Sequence, residues 1–289
     1  MVGLGIFLLG ICVVFEGVFV CEHRPIVFDD KKPVQGIGAY VINLDRSRER
    51  LAFVLPRIEE LGVPIERISA VDGRLLSEAD IRRVVDLEAY NVYIRHFPDS
   101  GTIGCSLSHF RAWEAFLRSS YAYALIFEDD VSFASGKLCS VVNDLTKIPQ
   151  SWDLVRFDFA CNDAPFVLCS LNKDYRLTTY FGTVFCAGAY LINRRAATAL
   201  CARALPVRMS VDYIFSRGWE FDLKFVGLEP KLVHQTFGDS EIKKTARFQA
   251  PDTCVGLIQQ LRRAVYRAKT HIMYFLYNMK LYIQLNCFS

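Results

Sequence analysis

Three consecutive carboxylates, Glu128, Asp129 and Asp130, follow a run of five apolar or aromatic residues, Tyr123-Ala124-Leu125-Ile126-Phe127. The run has the length and composition of a strand buried on both faces of a sheet. The acids then fall at its carboxyl end, where open α/β sheets place their ligands. Adjacent anions repel one another and are costly to bury unpaired. A divalent cation between them would remove that repulsion. Hard oxygen ligands suit Mg²⁺ or Mn²⁺, which commonly bridge protein carboxylates to substrate phosphates. The alternative for such a triplet alone is a solvated acidic turn.

Other residues with usable chemistry lie on either side. Arg48 and Arg50 sit just past the carboxyl end of a strand over residues 37–44. They read as contacts to a nucleotide or its phosphates, or as two solvated first-turn arginines. Cys105 and His109 are four apart, the spacing of two ligands on one helix edge. The favoured reading instead places Ser106 and His109 at a helix start beside the site, where backbone N–H groups favour phosphate. Asp212 opens a short helix and could serve only the helix dipole. The small residues Ala187, Gly188 and Ala189 would let a ligand approach the backbone closely, or merely ease packing.

The elements that must position these groups alternate strand and helix. A strand over 37–44 precedes a helix carrying Leu51, Val54, Leu55, Ile58 and Leu61, which ends at Gly62. A second strand over 65–70 leads through a turn at Val71-Asp72-Gly73 to a helix opened by Ser77 and Asp80. This βαβ pattern predicts a mostly parallel central sheet. Residues 88–104 read as irregular. A helix with Leu107, Phe110, Trp113 and Leu117 on one face then precedes the acid-tipped strand. Further on come a helix over 138–145, a strand over 152–157 ending at Asp158, and a loop or short hairpin over 160–182 bordering the pocket. A long strand over 183–193, a helix over 194–204, the short helix at 210–215 and a strand over 221–226 follow.

Composition bounds the rest. The 289 residues, 52% hydrophobic and 22% charged, support a sizeable core and exclude global disorder. A net charge of +3 is too small to argue for nucleic acid. The excess is concentrated after Pro251, where Arg262, Arg263, Arg267, Lys269 and Lys280 face a single acid, Asp252. Residues 251–289 are expected to form a basic, aromatic-rich amphipathic helical tail, suited to an anionic membrane surface or to packing on the domain. Residues 1–21 are almost wholly apolar, long enough to cross a bilayer, with Glu16 as one costly charge. Basic residues follow at Arg24, Lys31 and Lys32, which would put the domain on the cytoplasmic face, at the inner membrane. Residues 22–36 read as a linker and 37–250 as the main domain. The ten cysteines contain no C-x-x-C pair, and Cys139, Cys186 and Cys201 read as buried free thiols.

Several stretches together resemble glycosyltransferase family 25, the lipopolysaccharide/lipooligosaccharide β-galactosyltransferases and their collagen-modifying relatives. They are VINLDRSRER (41–50), ISAVDG (68–73), GTIGCSLSHFRAW (101–113), ALIFEDD (124–130), GAYLINRRAA (188–197), SVDYIF (210–215) and the PKLVHQ to DSEI region (230–242), in family order. The resemblance implies a single α/β, GT-A-like nucleotide-sugar-binding domain. It also implies that Glu128-Asp129-Asp130 takes the place of the D-x-D-type motif, with Glu where many relatives carry Asp. It further implies inverting transfer of a hexose from a nucleotide sugar, galactose from UDP-galactose, to a saccharide or lipid-linked oligosaccharide acceptor, with Mn²⁺ (or Mg²⁺) on the diphosphate.

Such chemistry needs a base on the acceptor hydroxyl. Asp212 is the first candidate and Asp158 the second. Glu128 and Asp130 are the expected metal ligands, with His234 as a third from the end of the domain. Asn43, Arg50, Asp72 and Asp129 fall on the nucleotide side, with Ser106 and His109 near the donor. The competing reading is a catalytically silent, membrane-associated binding or adhesion protein on the same fold.

Overall fold

The computed structural model describes residues 8–15, 18–25, 36–94, 98–161, 163–236 and 256–286, the first two stretches by backbone alone. Leu8–Phe15 (β1) and Val18–Pro25 (β2) pair as an antiparallel hairpin. The rest of the leading segment read as a membrane span lies outside the described residues. No helix among the described residues is long and apolar enough to cross a membrane.

The main domain starts as its sequence periodicity dictates. Ile37–Asn43 (β3), Arg48–Glu59 (α1) and Ile65–Ser69 (β4) make one parallel βαβ unit. Glu78–Val84 (α2) follows, opened by the Ser77–Asp80 capping box. The stretch expected to be irregular instead holds Leu87–Ile94 (α3) and the start of Ser100–Arg118 (α4). Both starts are capped: Asp86 Oδ1 accepts the Ala89 N–H, and Asp99 Oδ1 accepts the Thr102 N–H. Gly101 and Gly104 obscured the helix. A Cβ at Gly104 would lie 2.5 Å from the Val71 carbonyl oxygen, and one at Gly73 would lie 1.6 Å from that of Ser100. Glycine is needed because α4 rests directly on the turn after β4.

Tyr123–Glu128 (β5) then enters the sheet, and Val131–Phe133 (β6) leaves it after the acid turn. Ser135–Lys147 (α5), Leu154–Arg156 (β7), Phe166–Ser170 (β8), Arg176–Thr179 (β9) and Ala189–Asn193 (β10) follow. Arg194–Arg203 (α6), Val211–Phe215 (α7), Gly218–Phe221 (α8), Phe225–Glu229 (β11), Val233–Gln235 (β12) and Leu257–Asn286 (α9) complete the chain.

The eight-stranded sheet has the order β4-β3-β5-β10-β7-β11-β9-β8. Its pairings set six strands in one direction and only β10 and β9 against them. The β8–β9 hairpin lies on the edge strand positions, at the far side of the sheet from β3, rather than beside the acid tip. Alternation along the central strands divides the core. Ala124 and Ile126 of β5 pack with Phe110, Trp113 and Phe116 of α4. Leu125 and Phe127 pack on the other face with Val54 and Ile58 of α1 and Leu138 of α5. Of the cysteines read as buried, Cys201 is buried, while Cys139 and Cys186 are half-buried; all three are free thiols.

Candidate functional site

Strand register brings the acid tip to its neighbours. Parallel pairing sets Ile42 against Glu128, so Asn43 arrives beside Asp129. Asn43 Nδ2 donates to Asp129 Oδ2 at 2.7 Å and to the Ser47 carbonyl at 2.9 Å. Arg67, on β4, donates Nε–H to Asn43 Oδ1 at 3.0 Å and so fixes which way the amide faces. Asn43, expected on the nucleotide side, is buried with its amide engaged at both ends; it positions Asp129. Arg50 reaches in from the first turn of α1, its Nη1 3.5 Å from Asp129 Oδ1 and 4.0 Å from Asp130 Oδ2. Burial pushes the Asp129 carboxyl up, against the Asn43 hydrogen bond and the Arg50 charge.

Glu128 continues the face of Ala124 and Ile126 and therefore points at α4. Its Oε1 accepts from His109 Nε2 at 3.1 Å and from the Cys105 thiol at 3.6 Å. Ligand atoms of Cys105, His109 and Glu128 gather within 4.8 Å of one another, whereas Asp130 and His234 stand outside that group. The trio is satisfied without a cation. Trp113 Nε1 can only donate, and it does so to Tyr190 Oη at 2.8 Å. Tyr190 is then free to turn its own proton to His109 Nδ1, 2.9 Å away. That leaves Nε2–H for Glu128, and every donor in the chain has an acceptor. Burial works to raise the Glu128 carboxyl, but the His109 and Cys105 hydrogen bonds and the Arg50 charge outweigh it, and the net is a lowered pKa. The chain holds Glu128 ionised, with Oε1 saturated.

His109 is 0% exposed and sits in the middle of the nineteen-residue α4, not at its start. Ser106 is likewise internal: its hydroxyl donates to the Thr102 carbonyl one turn back at 3.0 Å. Neither offers a free helix-terminal N–H to phosphate, because α4 begins earlier than its glycines suggest. Tyr190→Phe is expected to lower unfolding free energy by about 1–3 kcal/mol, since it strands the buried Trp113 and His109 nitrogens. Denaturant unfolding measures this; a loss below about 0.5 kcal/mol would show that the chain is not a connected unit.

Asp130 turns the strand into β6. Among the described residues its Oδ1 is buried without a hydrogen-bond partner, as is Asp158 Oδ2. Burial, reinforced by the Glu128 and Asp129 charges, pushes Asp130 up to about 7. Burial and Glu128 push Asp158 up to about 6. Asp158 fills the space that glycine leaves at 188, where a Cβ would sit 2.5 Å from its Oδ2. The small-residue stretch therefore admits a carboxylate of the protein itself. Arg156 is clamped nearby, donating to the Val184 and Phe185 carbonyls at 2.9 and 2.7 Å and to that of Cys186. Cys186 takes a left-handed φ of 68° to present that carbonyl.

β12 pairs with β6, setting the exposed His234 opposite Ser132. Thr236 donates N–H and Oγ–H to the Asp130 carbonyl at 2.8 and 2.9 Å. Residues 233–236 thus return the chain to the acid turn. Asp212 is half-buried at the start of α7. Its Oδ1 accepts from Ser210 Oγ at 2.5 Å and from the Tyr213 N–H at 2.9 Å. Burial raises the Cys105 and Cys186 thiols, and the Asp212 charge adds to both.

Beside the tip lies a cleft of about 140 Å³ lined by Arg46, Arg50, Asp72, Arg74, Cys105, Ser108, His109, Glu128, Asp129 and Asp130. Asp72 caps the short turn Gly73–Leu75 through the Arg74 N–H and pairs with the Arg46 and Arg74 guanidiniums. Arg46, Arg74 and Ser108 were not anticipated as site residues. The adjacency of Arg74 to the Asp72-Gly73 turn was the available signal. Asp158 and Asp212 do not line this cleft. Three arginines and four carboxylates around one opening suit a ligand that is itself anionic and metal-bridged.

Glycosyltransferase family 25 (LPS biosynthesis protein) matches residues 37–215. A glycosyltransferase 25 family member of Aedes aegypti is 36% identical over 139 residues, 46% of this chain and 22% of its own. Inactive glycosyltransferase 25 family member 3 of Mus musculus is 28% identical over 228 residues, 70% of this chain and 38% of its own. Procollagen galactosyltransferase 2 of Mus musculus is 30% identical over 122 residues, 40% of this chain and 20% of its own. This chain therefore spans well under half the length of these relatives. A solved Drosophila β-1,4-galactosyltransferase 7 mutant, in complex with manganese, UDP-Gal and xylobiose, covers 78% of this chain and 79% of its own at 12% identity and a TM-score of 0.34. With the family's span covering both the acid-tipped strand and the helix that holds Glu128, the chain belongs to glycosyltransferase family 25.

Proposed function

We propose that this domain transfers a hexose, galactose from UDP-galactose, to a hydroxyl of a lipopolysaccharide-type or other saccharide acceptor, with inversion. The observation that carries the reading is the buried, unpartnered Oδ1 of Asp130 within a carboxylate cluster, where burial and then the neighbouring charges push that group up to about 7. A divalent cation supplies the missing partner, so the residues fit Mn²⁺ or Mg²⁺. Asp130 would hold it, with Glu128 and His234 as further donors. Such a cation neutralises charge on the departing diphosphate. Arg46, Arg50 and Arg74 line the cleft and offer guanidinium N–H groups to the same diphosphate.

Asp212 is the base. Its half-exposed carboxylate is oriented by Ser210 and Tyr213, whereas Asp158 Oδ2 is buried away from solvent. The acceptor proton passes to Asp212 as the oxygen bonds the anomeric carbon and the bond from that carbon to phosphate breaks.

Calorimetric titration of UDP with Mn²⁺ tests the reading. Wild type is expected to bind and Asp130→Ala to lose binding at least roughly tenfold, the loss of a charge-assisted contact. Undiminished binding by the variant refutes the metal assignment. No binding by wild type favours the silent-module reading, to which relatives named inactive give weight. A screen of nucleotide sugars for metal-dependent binding then identifies the donor.

A further inference from the structure

α9 turns an apolar face outward. Among the described residues twelve large hydrophobic side chains are exposed, and eight of them lie on this helix. Ile258, Leu261, Val265, Ile272, Leu276 and Ile283 recur at steps of three, four or seven, which places them on one stripe. At 1.5 Å per residue the stripe is about 38 Å long. The opposite face is what seats the helix. Tyr277 Oη donates to the Leu223 carbonyl and accepts the Phe225 N–H, both at 2.8 Å. Asn278 accepts from Thr179 Oγ1 at 2.9 Å and donates to the Tyr180 carbonyl at 3.0 Å. Leu281 is buried beside them. The helix thus already has its core face, and the outward stripe is a second apolar face.

Charge decides what the stripe meets. Leu257–Asn286 contains Arg262, Arg263, Arg267, Lys269 and Lys280 and no Asp or Glu. Helical spacing puts Arg262, Lys269 and Lys280 along one rim of the stripe. Arg262 and Lys280 also pair with Glu88 and Asp222, in ion pairs that are exposed on both sides. A second copy of α9 would set cations against cations with no carboxylate on the helix to relieve them. An anionic lipid surface supplies both the apolar phase for the stripe and the opposite charge for its rim, and long basic side chains can reach the headgroups while their stems lie on the acyl boundary. The geometry points to α9 as an in-plane anchor that lays the domain on an anionic bilayer surface through this stripe, without crossing it.

Cosedimentation of the full chain with phosphatidylcholine vesicles, with and without phosphatidylglycerol, tests this. Wild type is expected on the anionic vesicles only, released by added salt. Ile272→Glu, at a position 60% exposed, is expected to weaken partitioning by roughly tenfold or more without altering thermal unfolding. Lys269→Glu is expected to weaken it by about fivefold or more, and serves if the first variant is unstable. Failure of wild type to sediment with either vesicle overturns the proposal. So does equal binding to neutral vesicles, or light scattering that reveals a stable dimer abolished by Ile272→Glu.

Discussion

Asp212→Asn is expected to lower the transfer rate by roughly 10²–10⁴-fold while leaving UDP and Mn²⁺ affinity unchanged. The amide keeps the size of the side chain, and its oxygen still accepts from Ser210 and Tyr213, which hold Asp212 Oδ1 at 2.5 and 2.9 Å. What it cannot do is take the acceptor proton. Steady-state transfer assays paired with calorimetric titration separate the two steps. A variant that transfers at the wild-type rate removes Asp212 from the chemistry. One that loses donor binding as well assigns it to the donor side. Asp158→Asn is the internal comparison. Because Asp158 Oδ2 is enclosed rather than presented, its replacement is expected to alter stability more than turnover.

The second large effect is on stability, and it runs opposite to function. Burial and neighbouring carboxylates push Asp130 up to about 7 and Asp158 up to about 6. In the unfolded chain both would titrate near the ordinary carboxylate value of about 4. Between these limits the folded protein holds protons that the unfolded chain has released, so this contribution to stability falls as pH rises from about 4 to about 7. Asp130→Asn removes the penalty. In the presence of a chelator the variant is expected to exceed wild type by on the order of 3 kcal/mol at neutral pH and by little near pH 4. Mn²⁺ should then stabilise wild type and not the variant. Denaturant unfolding of both proteins at the two pH values measures this. An equal increment at both would mean that charge repulsion at Asp130 is not its source.

A site built this way is costly to the fold that carries it. Three adjacent carboxylates at a strand end, with Asp158 buried behind them, are tolerated because Asn43, Arg50, His109 and Cys105 each neutralise or orient one of them. Of the adjacent three, and among the described residues, Asp130 alone keeps a buried oxygen without a hydrogen-bond partner, as Asp158 does behind them. That asymmetry singles out Asp130 among three carboxylates that stand side by side in the linear chain.

Much of the frame was legible from residue order. Tyr123–Glu128 is a strand because five apolar or aromatic residues suit burial on both faces, and it ends where the acids begin. The Ser77–Asp80 capping box, the α1 periodicity and the basic α9 are local signals, and each appears where it was read. Asp72, Arg50 and the acid triplet line one cleft, as their positions after strand ends required. The strand read over 183–193 is shorter, Ala189–Asn193, and the clearest departure lies at two glycines. Gly101 and Gly104 suggested irregular chain, but they serve the close approach of α4 to the turn at 71–73, a contact between segments far apart in sequence.

The chain by itself determined the opening βαβ unit, the acid-tipped strand and which residue types stand at their ends, because periodicity and capping act over a few residues. Only the tertiary structure decided what each of those residues does. Parallel pairing of β3 with β5 committed Asn43 to Asp129, the pleat turned Glu128 onto His109 and Cys105, and the β6–β12 pairing returned the end of the domain to Asp130. Those outcomes depend on register and on the facing of side chains across the fold, and no local preference in the sequence encodes them.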